Sequence, residues 1–196
     1  PKGDWLICAL FQGNHGKMVE RAGPGGEGNV IDHFSEHAIS EYLKKFDEAF
    51  AGYDLSYLRC YFNDSYEVDD AVGCANWTPD FLKEFKRVCG YDLKQYIPAL
   101  LGLADDDTNS RVLHDYRMVI SDLLLERFTR KWQLWAEHQG KSIRNQAHGS
   151  PANALDLYAA SDIPETEGST ITDIKSASSA AHLPSLKEPE YIVLNH

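Results

Sequence analysis

Residues 55–67 read LSYLRCYFNDSYE, an apolar run of strand length that passes directly into a polar segment. The apolar part, 55–62, predicts a buried β-strand, and residues 63–67 then lie just past its C-terminal end. In barrels built from parallel strands, this end of each strand carries the functional groups. The stretch therefore predicts both a strand of a parallel sheet and a candidate site beside it.

The alternation of apolar runs and helical patterns continues along the chain. Further strands are predicted at 5–11, 142–148 and 191–195, whereas 163–168 is predicted to be a loop. Helices are predicted at 35–52, 78–90, 111–139 and 172–182, with one more that starts at Ser150-Pro151. Strands that alternate with helices indicate a parallel α/β sheet.

The predicted fold is an α/β barrel of the (β/α)8 TIM-barrel type that is only partly present. A complete barrel needs eight strands and about 250 residues, whereas this chain has 196 residues and four predicted strands. We therefore expect residues 1–196 to form one partial (β/α)8 domain with long helical insertions. Because the first residue is Pro1 rather than Met, we expect the chain to be a processed or excised piece.

Composition excludes several kinds of partner. The net charge of −11 repels phosphate backbones, so no nucleic acid is expected to bind. No stretch reaches the roughly 20 apolar residues of a membrane helix, and no signal peptide is visible at the N-terminus. The four cysteines form no C-x-x-C pair, so free thiols are expected rather than a zinc site.

Two acidic segments, 63–67 and 162–168, are candidates for chemistry. Cleavage of a glycosidic bond takes two carboxyl groups. One donates a proton to the leaving oxygen, and the other stays ionised and activates water or attacks directly. On spacing alone, solvated loops or helix caps would explain these residues as well.

Longer motifs identify a family. The chain resembles glycoside hydrolase family 106, the α-L-rhamnosidases, in FNDSYEV at 62–68, ANWTPDFL at 75–82, RNQAHGSPAN at 144–153, DLYAASDIPETE at 156–167, ALFQG at 9–13 and GKMVERAGPGGEG at 16–28. The resemblance implies an (α/β)8 barrel, inverting hydrolysis of terminal α-L-rhamnosides, and dependence on calcium. It extends over nearly the whole chain, to about residue 182.

The resemblance also assigns the catalytic pair. Glu67 matches the glutamate of the N-D-S-x-E motif and is expected to be the general acid. Glu167 is the choice for the general base, with Glu165 of the same P-E-T-E motif as its rival. Inversion requires the two carboxyl groups to lie about 6.5–9.5 Å apart, which leaves room for water.

Other residues are expected to bind the sugar or the metal. The predicted calcium ligands are Asp64, Asn63 and whichever of Glu165 and Glu167 is not the base, which is Glu165 when Glu167 is the base, although a structural hydrogen bond explains Asp64 equally well. The predicted substrate contacts are Asn63, Asp64, Arg144, Asn145, His148, Lys17, Arg21 and Trp77, with Glu20 nearby. A structural role for His148, a solvated loop around Lys17 and Arg21, and packing at a helix start for Trp77 remain open alternatives.

The predicted function is release of terminal α-L-rhamnose from rhamnose-containing polysaccharides, oligosaccharides or glycosides. A related glycosidase with another deoxy-sugar specificity is one alternative, and a non-catalytic carbohydrate-binding piece or incomplete barrel is another. Because a polymeric substrate does not enter the cell intact, a secreted or periplasmic bacterial location is expected.

Overall fold

The computed structural model describes residues 3–68, 71, 76–167 and 170–183, and the backbone of 193–195. The elements in chain order are α1 (Glu36–Phe50), β1 (Cys60–Asn63), α2 (Phe81–Cys89), a 3₁₀ helix (Leu93–Tyr96), α3 (Ile97–Leu100), α4 (Asp106–Leu123), a π-helical segment (Leu124–Thr129), α5 (Arg130–His138), β2 (Ser142–Gln146), α6 (Ala154–Ala159), β3 (Ile163–Glu167), α7 (Ile171–Ala180) and β4 (Val193–Asn195).

The four strands form one parallel sheet in the order β1-β2-β3-β4. Its register pairs Asn63 with Asn145 and Gln146 with Glu165. The predicted α/β class and the parallel sheet are therefore confirmed. In a (β/α)8 barrel, too, strands that follow one another in the chain are neighbours in the sheet. Four strands do not close a barrel, so the barrel remains a prediction.

Two of the strand assignments from sequence are wrong. Residues 5–11 adopt neither helix nor strand, and Ile7 and Phe11 are 86% and 92% exposed. Conversely, the predicted loop at 163–168 contains strand β3. Its polar residues tolerate a buried strand because β2 supplies polar partners for them. The strand predicted at 55–62 is also shorter than expected and begins at Cys60.

Most helices form where local signals predict them, with shifted starts. Ser35 caps α1 by accepting from the Ala38 N–H at 3.3 Å. The helix predicted from Thr78 begins instead at Phe81, since the Thr78 hydroxyl donates to Asp32 at 2.7 Å. Likewise Asn153, not Ser150, caps α6. Helix α4, predicted to begin at 111, begins at Asp106 with Asp105 as its cap.

The core lies between the sheet and the long helical run from Asp106 to His138. Phe81, Phe85 and Trp132 are buried there, together with Ile143 of β2. The π-helical segment places Arg127 so that it donates to both carboxylate oxygens of Asp80, at 2.9 Å each. This pair fixes the N-terminus of α2 against the long helical run.

Two further predictions concern the cysteines and membrane-spanning segments. Cys8, Cys60 and Cys89 are free thiols, as predicted, and Cys74 lies outside the described residues. Within the described part of the chain, no helix combines the length and apolar character that a membrane span requires.

The sheet has two different faces, because successive side chains of a strand point to opposite sides. Tyr61, Ile143 and Asn145 lie on the face covered by helices; the Tyr61 ring, for example, packs 4.6 Å from Trp135 of α5. The opposite side, here called the polar face, carries Phe62, Arg144, Gln146, Ile163, Glu165 and Glu167. Four of these six side chains are polar or charged, so a candidate site lies on this face.

Candidate active site

An ion pair occupies the centre of the polar face. The Arg144 guanidinium donates through Nε to Glu165 Oε2, and the Gln146 amide donates to Glu165 Oε1 at 2.9 Å. Glu165 is completely buried, while the Arg144 side chain stays one-third exposed. The bond to Glu165 raises the pKa of Arg144. Both carboxylate oxygens of Glu165 therefore already accept hydrogen bonds from the protein.

The parallel register brings these groups together. Phe62, Arg144 and Ile163 lie side by side on β1, β2 and β3, two register positions before the pair Gln146 and Glu165. The Arg144 guanidinium lies 4.8 Å from the centre of the Phe62 ring. An aromatic face and a carboxylate together hold the guanidinium in one orientation.

The two other candidate carboxylates are exposed at the C-terminal ends of strands. Glu67 lies on the loop that follows β1, and its Oε1 accepts from the Ser65 hydroxyl at 3.1 Å. Glu167 is the last residue of β3 and lies on the same side of the sheet as Glu165. The structure therefore separates the two glutamates of the P-E-T-E motif into a buried ion-paired residue and an exposed one.

The asparagine pair predicted to contact substrate is linked internally. The Asn63 amide donates to Asn145 Oδ1 at 3.0 Å and to the Asp64 carbonyl at 2.9 Å. Asn145 is 2% exposed, faces the helices and donates to the Ser161 hydroxyl at 3.3 Å. Asn145 therefore links β1 to β2 and to the β2–β3 connection in the described structure, and direct substrate contact by this buried residue stays a prediction.

A backbone contact ties the Glu67 loop to the end of β2. The Tyr66 N–H donates to the His148 carbonyl at 3.1 Å. Gly149 adopts φ +78°, and a Cβ at this position would lie 2.6 Å from the Tyr66 carbonyl oxygen. Only glycine allows this approach. The position of Glu67 therefore depends on the β2–α6 loop.

Two buried polar atoms near this loop lack a protein partner among the described residues. They are Nδ1 of His148 and Oε1 of Gln146. A buried polar atom without a partner is costly unless a ligand or water satisfies it. Substrate contact by His148 stays a prediction, and Gln146, which sequence reasoning did not single out, has an unpartnered atom as well. The alternation of Arg144 and Gln146 along β2 was the available signal.

Two further predicted substrate contacts, Lys17 and Trp77, lie in a cavity beside the N-terminal loops. The cavity has a volume of about 560 Å³ and lies between these loops and the β1–α2 connection. The Trp77 indole donates to Gln12 at 3.1 Å, and Lys17 pairs with Glu20 at 2.7 Å. Arg21 is exposed, adopts φ +46° and is not among the lining residues. The residues that the sequence assigned to one site therefore lie in two regions, the polar face of the sheet and this cavity.

A histidine that sequence reasoning missed lies in the same cavity. The His33 ring packs edge-on against Tyr66 and Phe128, with ring centres 5.0 and 4.8 Å away. Burial, with a smaller contribution from His15, lowers the pKa of His33 to about 4. His33 is therefore neutral at physiological pH and acts there as a hydrogen-bonding and packing group.

The predicted calcium ligands, Asp64 and Glu165, are not grouped with further metal-binding side chains in the described part of the chain, so calcium stays a prediction. Calcium takes six to eight oxygen ligands, yet no group of three or more His, Cys, Asp or Glu side chains able to hold a metal lies within the described residues. Glu165 accepts from the cationic Arg144 and from Gln146, while Asp64 Oδ1 accepts from the Ser65 N–H at 2.8 Å. The hydrogen bond anticipated as the alternative for Asp64 is thus present.

Comparisons with known proteins connect this site to an enzyme family. A family model described as glycoside hydrolase 106, alpha-L-rhamnosidase, matches residues 1–185. A rhamnosidase from Novosphingobium sp. PP1Y superposes with a TM-score of 0.73 at 26% identity, over 92% of this chain and 19% of that one.

A Formosa agariphila protein that carries the name of a beta-glucuronidase is 31% identical over 198 residues. The match covers 93% of this chain and 16% of that protein. The chain thus spans less than a fifth of the length of either relative.

Proposed function

Since the chain belongs to the alpha-L-rhamnosidase family, glycoside hydrolase family 106, we propose that it forms part of the active site of a glycosidase that releases terminal α-L-rhamnose. The observation that carries the proposal is the position of Glu67 and Glu167. They are exposed carboxylates, one on the loop after β1 and one at the end of β3, and these two strands flank β2, which carries Arg144. The family name and the rhamnosidase structure supply the sugar.

Glu67 is the general acid and Glu167 the general base in this proposal. The acid donates its proton to the glycosidic oxygen, and the base takes a proton from the water that attacks the anomeric carbon. Glu165 is less suited to this task, because Arg144 and Gln146 already donate to both of its oxygens. Its contribution is to hold Arg144 at the floor of the site.

The strand order supports an inverting mechanism. Neighbouring strands lie about 4.8 Å apart, and β2 separates β1 from β3. Carboxylates that follow β1 and β3 are thus separated by roughly 10 Å at the sheet, and the Glu67 loop can bring them somewhat closer. Inverting glycosidases need about 6.5–9.5 Å and retaining ones about 5–5.5 Å, so this spacing favours inversion.

A (β/α)8 barrel is the architecture we propose for the complete domain. Four consecutive parallel strands in chain order, with helices on one face and polar groups on the other, support it. In such a barrel the polar face would point inward, and the C-terminal strand ends would form the active-site mouth. A secreted or periplasmic location follows from a polymeric substrate and is part of the proposal.

A neutral sugar suits the site better than a uronic acid. Recognition of a uronate needs a cation that is available to its carboxylate. Here Arg144 pairs with Glu165 and Lys17 pairs with Glu20. This favours rhamnose over the glucuronic acid in the name of the Formosa agariphila protein.

Hydrolysis of a rhamnosyl disaccharide, whose leaving oxygen must be protonated, by the full-length protein tests the proposal. Wild type and the control Glu48→Gln, an exposed position on α1, should be equally active, whereas Glu67→Gln and Glu167→Gln should each lose at least a hundredfold in kcat. NMR of the first product should show the β-anomer. Binding without turnover by wild type would instead favour the non-catalytic carbohydrate-binding alternative.

A further inference from the structure

Glu67 lies in the β1–α2 connection between two residues that are each held by other parts of the molecule. Val68, the next residue, is 4% exposed. Tyr66, the residue before, donates its N–H to the His148 carbonyl at 3.1 Å, and its ring packs edge-on against the His33 ring, with ring centres 5.0 Å apart. Since the Glu67 side chain is exposed, its position follows from how these two neighbours are held.

The His33 ring connects Tyr66 to the helical part of the molecule. It packs edge-on against Phe128 of the π-helical segment, with ring centres 4.8 Å apart, as well as against Tyr66. Edge-on pairs of aromatic rings attract one another beyond the area that they bury, and they favour particular ring orientations. Burial lowers the pKa of His33 to about 4, so at physiological pH the ring is uncharged and packs as an aromatic group.

The backbone on both sides of His33 is fixed to other elements. Before it, Asp32 accepts from the Thr78 hydroxyl at 2.7 Å, which ties the loop to the residues that precede α2. After it, Phe34 is 1% exposed, and its carbonyl accepts from the Arg127 guanidinium at 3.0 Å. His33 is therefore held in place by contacts that do not involve Tyr66, as a support for another side chain must be.

We propose that His33 is a positioning residue for the general acid, because through the Tyr66 ring it holds the loop that carries Glu67. In this role His33 does not touch the reacting atoms and affects only where the proton donor lies. The inference rests on the proposed function, since it takes Glu67 as the acid. A shift of about 1 Å in a catalytic group can slow a reaction by roughly a hundredfold, so loss of the His33 ring should slow the step that needs the acid.

Two substrates separate positioning of the acid from a merely structural role. The leaving oxygen of a rhamnosyl disaccharide must be protonated, whereas the fluoride of α-L-rhamnosyl fluoride departs without a proton. In the full-length protein, His33→Ala should lower kcat for the disaccharide about tenfold and leave KM within about twofold of wild type. The kcat for the fluoride should stay within about twofold of wild type. His33→Phe keeps an aromatic ring at this position and should retain activity on both substrates.

Tyr96→Ala is the matched control. It removes a comparable edge-on ring pair, in which Tyr96 of the 3₁₀ helix lies 4.9 Å from Tyr91 between ring centres. Its activity on both substrates should equal that of wild type. Equal losses on both substrates in His33→Ala, or no loss on the disaccharide, would overturn the positioning role.

Hydrogen exchange of the Tyr66 amide tests the contact without turnover. His33→Ala should speed the exchange of this N–H about tenfold, because the loop opens more often when its ring support is lost. His33→Phe and Tyr96→Ala should leave the exchange unchanged. If wild type cleaves neither substrate, the proposed function fails, and the exchange rates then decide alone whether His33 holds this loop. An exchange rate in His33→Ala equal to that of wild type would overturn the inference.

Discussion

Arg144 on β2 and Glu165 on β3 form an ion pair in which the carboxylate is fully buried and the guanidinium lies over the Phe62 ring. The pair joins two strands on the polar face and leaves Glu167, two residues further along β3, as the exposed carboxylate. The two glutamates of a single P-E-T-E motif thus have different surroundings, one buried and ion-paired and the other exposed.

Arg144→Ala should destabilise the protein by about 3 kcal/mol, because it leaves the buried Glu165 carboxylate without its cation. Urea unfolding would measure this loss. The control Arg111→Ala removes an ion pair with Asp107 whose side chains are 76% and 73% exposed, and it should cost less than 1 kcal/mol. Equal losses in the two variants would show that the Arg144–Glu165 pair is not a structural interaction.

The two glutamates of β3 should respond differently to the same substitution. Glu165→Gln should lower the free energy of unfolding, because it weakens the bond from Arg144. Glu167→Gln should leave stability within about 0.5 kcal/mol, as is usual for exposed positions, and abolish most activity. Unfolding curves and rhamnoside hydrolysis on both variants check this. Full activity of Glu167→Gln together with an inactive but folded Glu165→Gln would transfer the base to Glu165.

Gly149→Ala should disturb the Glu67 loop, since the new Cβ would lie 2.6 Å from the Tyr66 carbonyl oxygen. The matched control is Gly102→Ala, which has a similar φ of +73° but no heavy atom within 4 Å of its Cβ. The control should cost about 1 kcal/mol from backbone strain alone. Gly149→Ala should cost more and also lower kcat. A kcat equal to that of wild type would show that the loop contact does not position Glu67.

His33 should make stability dependent on pH. An ordinary histidine titrates near 6.5, and the folded protein holds the pKa of His33 at about 4. Below pH 6.5 the unfolded chain therefore binds a proton that the folded chain excludes. Stability should fall as the pH drops from 6.5 to 4, by up to about 3 kcal/mol, and should be unaffected by this group above pH 6.5.

The variant His33→Phe separates this effect from other titrations, because it keeps an aromatic ring against Tyr66 and Phe128. Urea midpoints measured between pH 7 and pH 4 should decline less steeply for the variant than for wild type. Parallel declines would mean that His33 does not exclude a proton in the folded state.

Local chemistry explains which parts of the fold were predictable. Ser35, at the start of an amphipathic pattern, specifies its own helix through a cap, so α1 was predicted correctly. Strand β3 was missed because its sequence, Ile163–Glu167, is polar and contains Pro164. Its burial depends on Arg144 and Gln146, which lie about 20 residues earlier in the chain.

The site was predictable in its residue types but not in its arrangement. Asn145 and Glu165 were both expected to meet ligands, yet the sheet register turns Asn145 toward the helices and pairs Glu165 with Arg144. The apolar run at 5–11, in contrast, was predicted to be a strand and is not one. It has the composition of a strand, but strand formation requires a partner elsewhere in the chain, and composition does not supply one.

The central claim is that Glu67 and Glu167 are the acid and the base, and α-L-rhamnosyl fluoride tests it most directly when it is compared with a rhamnosyl disaccharide. Fluoride departs without protonation, so Glu67→Gln should retain at least a tenth of wild-type activity on the fluoride while losing more than a hundredfold on the disaccharide. Glu167→Gln should lose more than a hundredfold on both, because water still needs a base. A Glu67→Gln variant that loses both substrates equally, or a Glu167→Gln variant that retains the fluoride, would contradict the account.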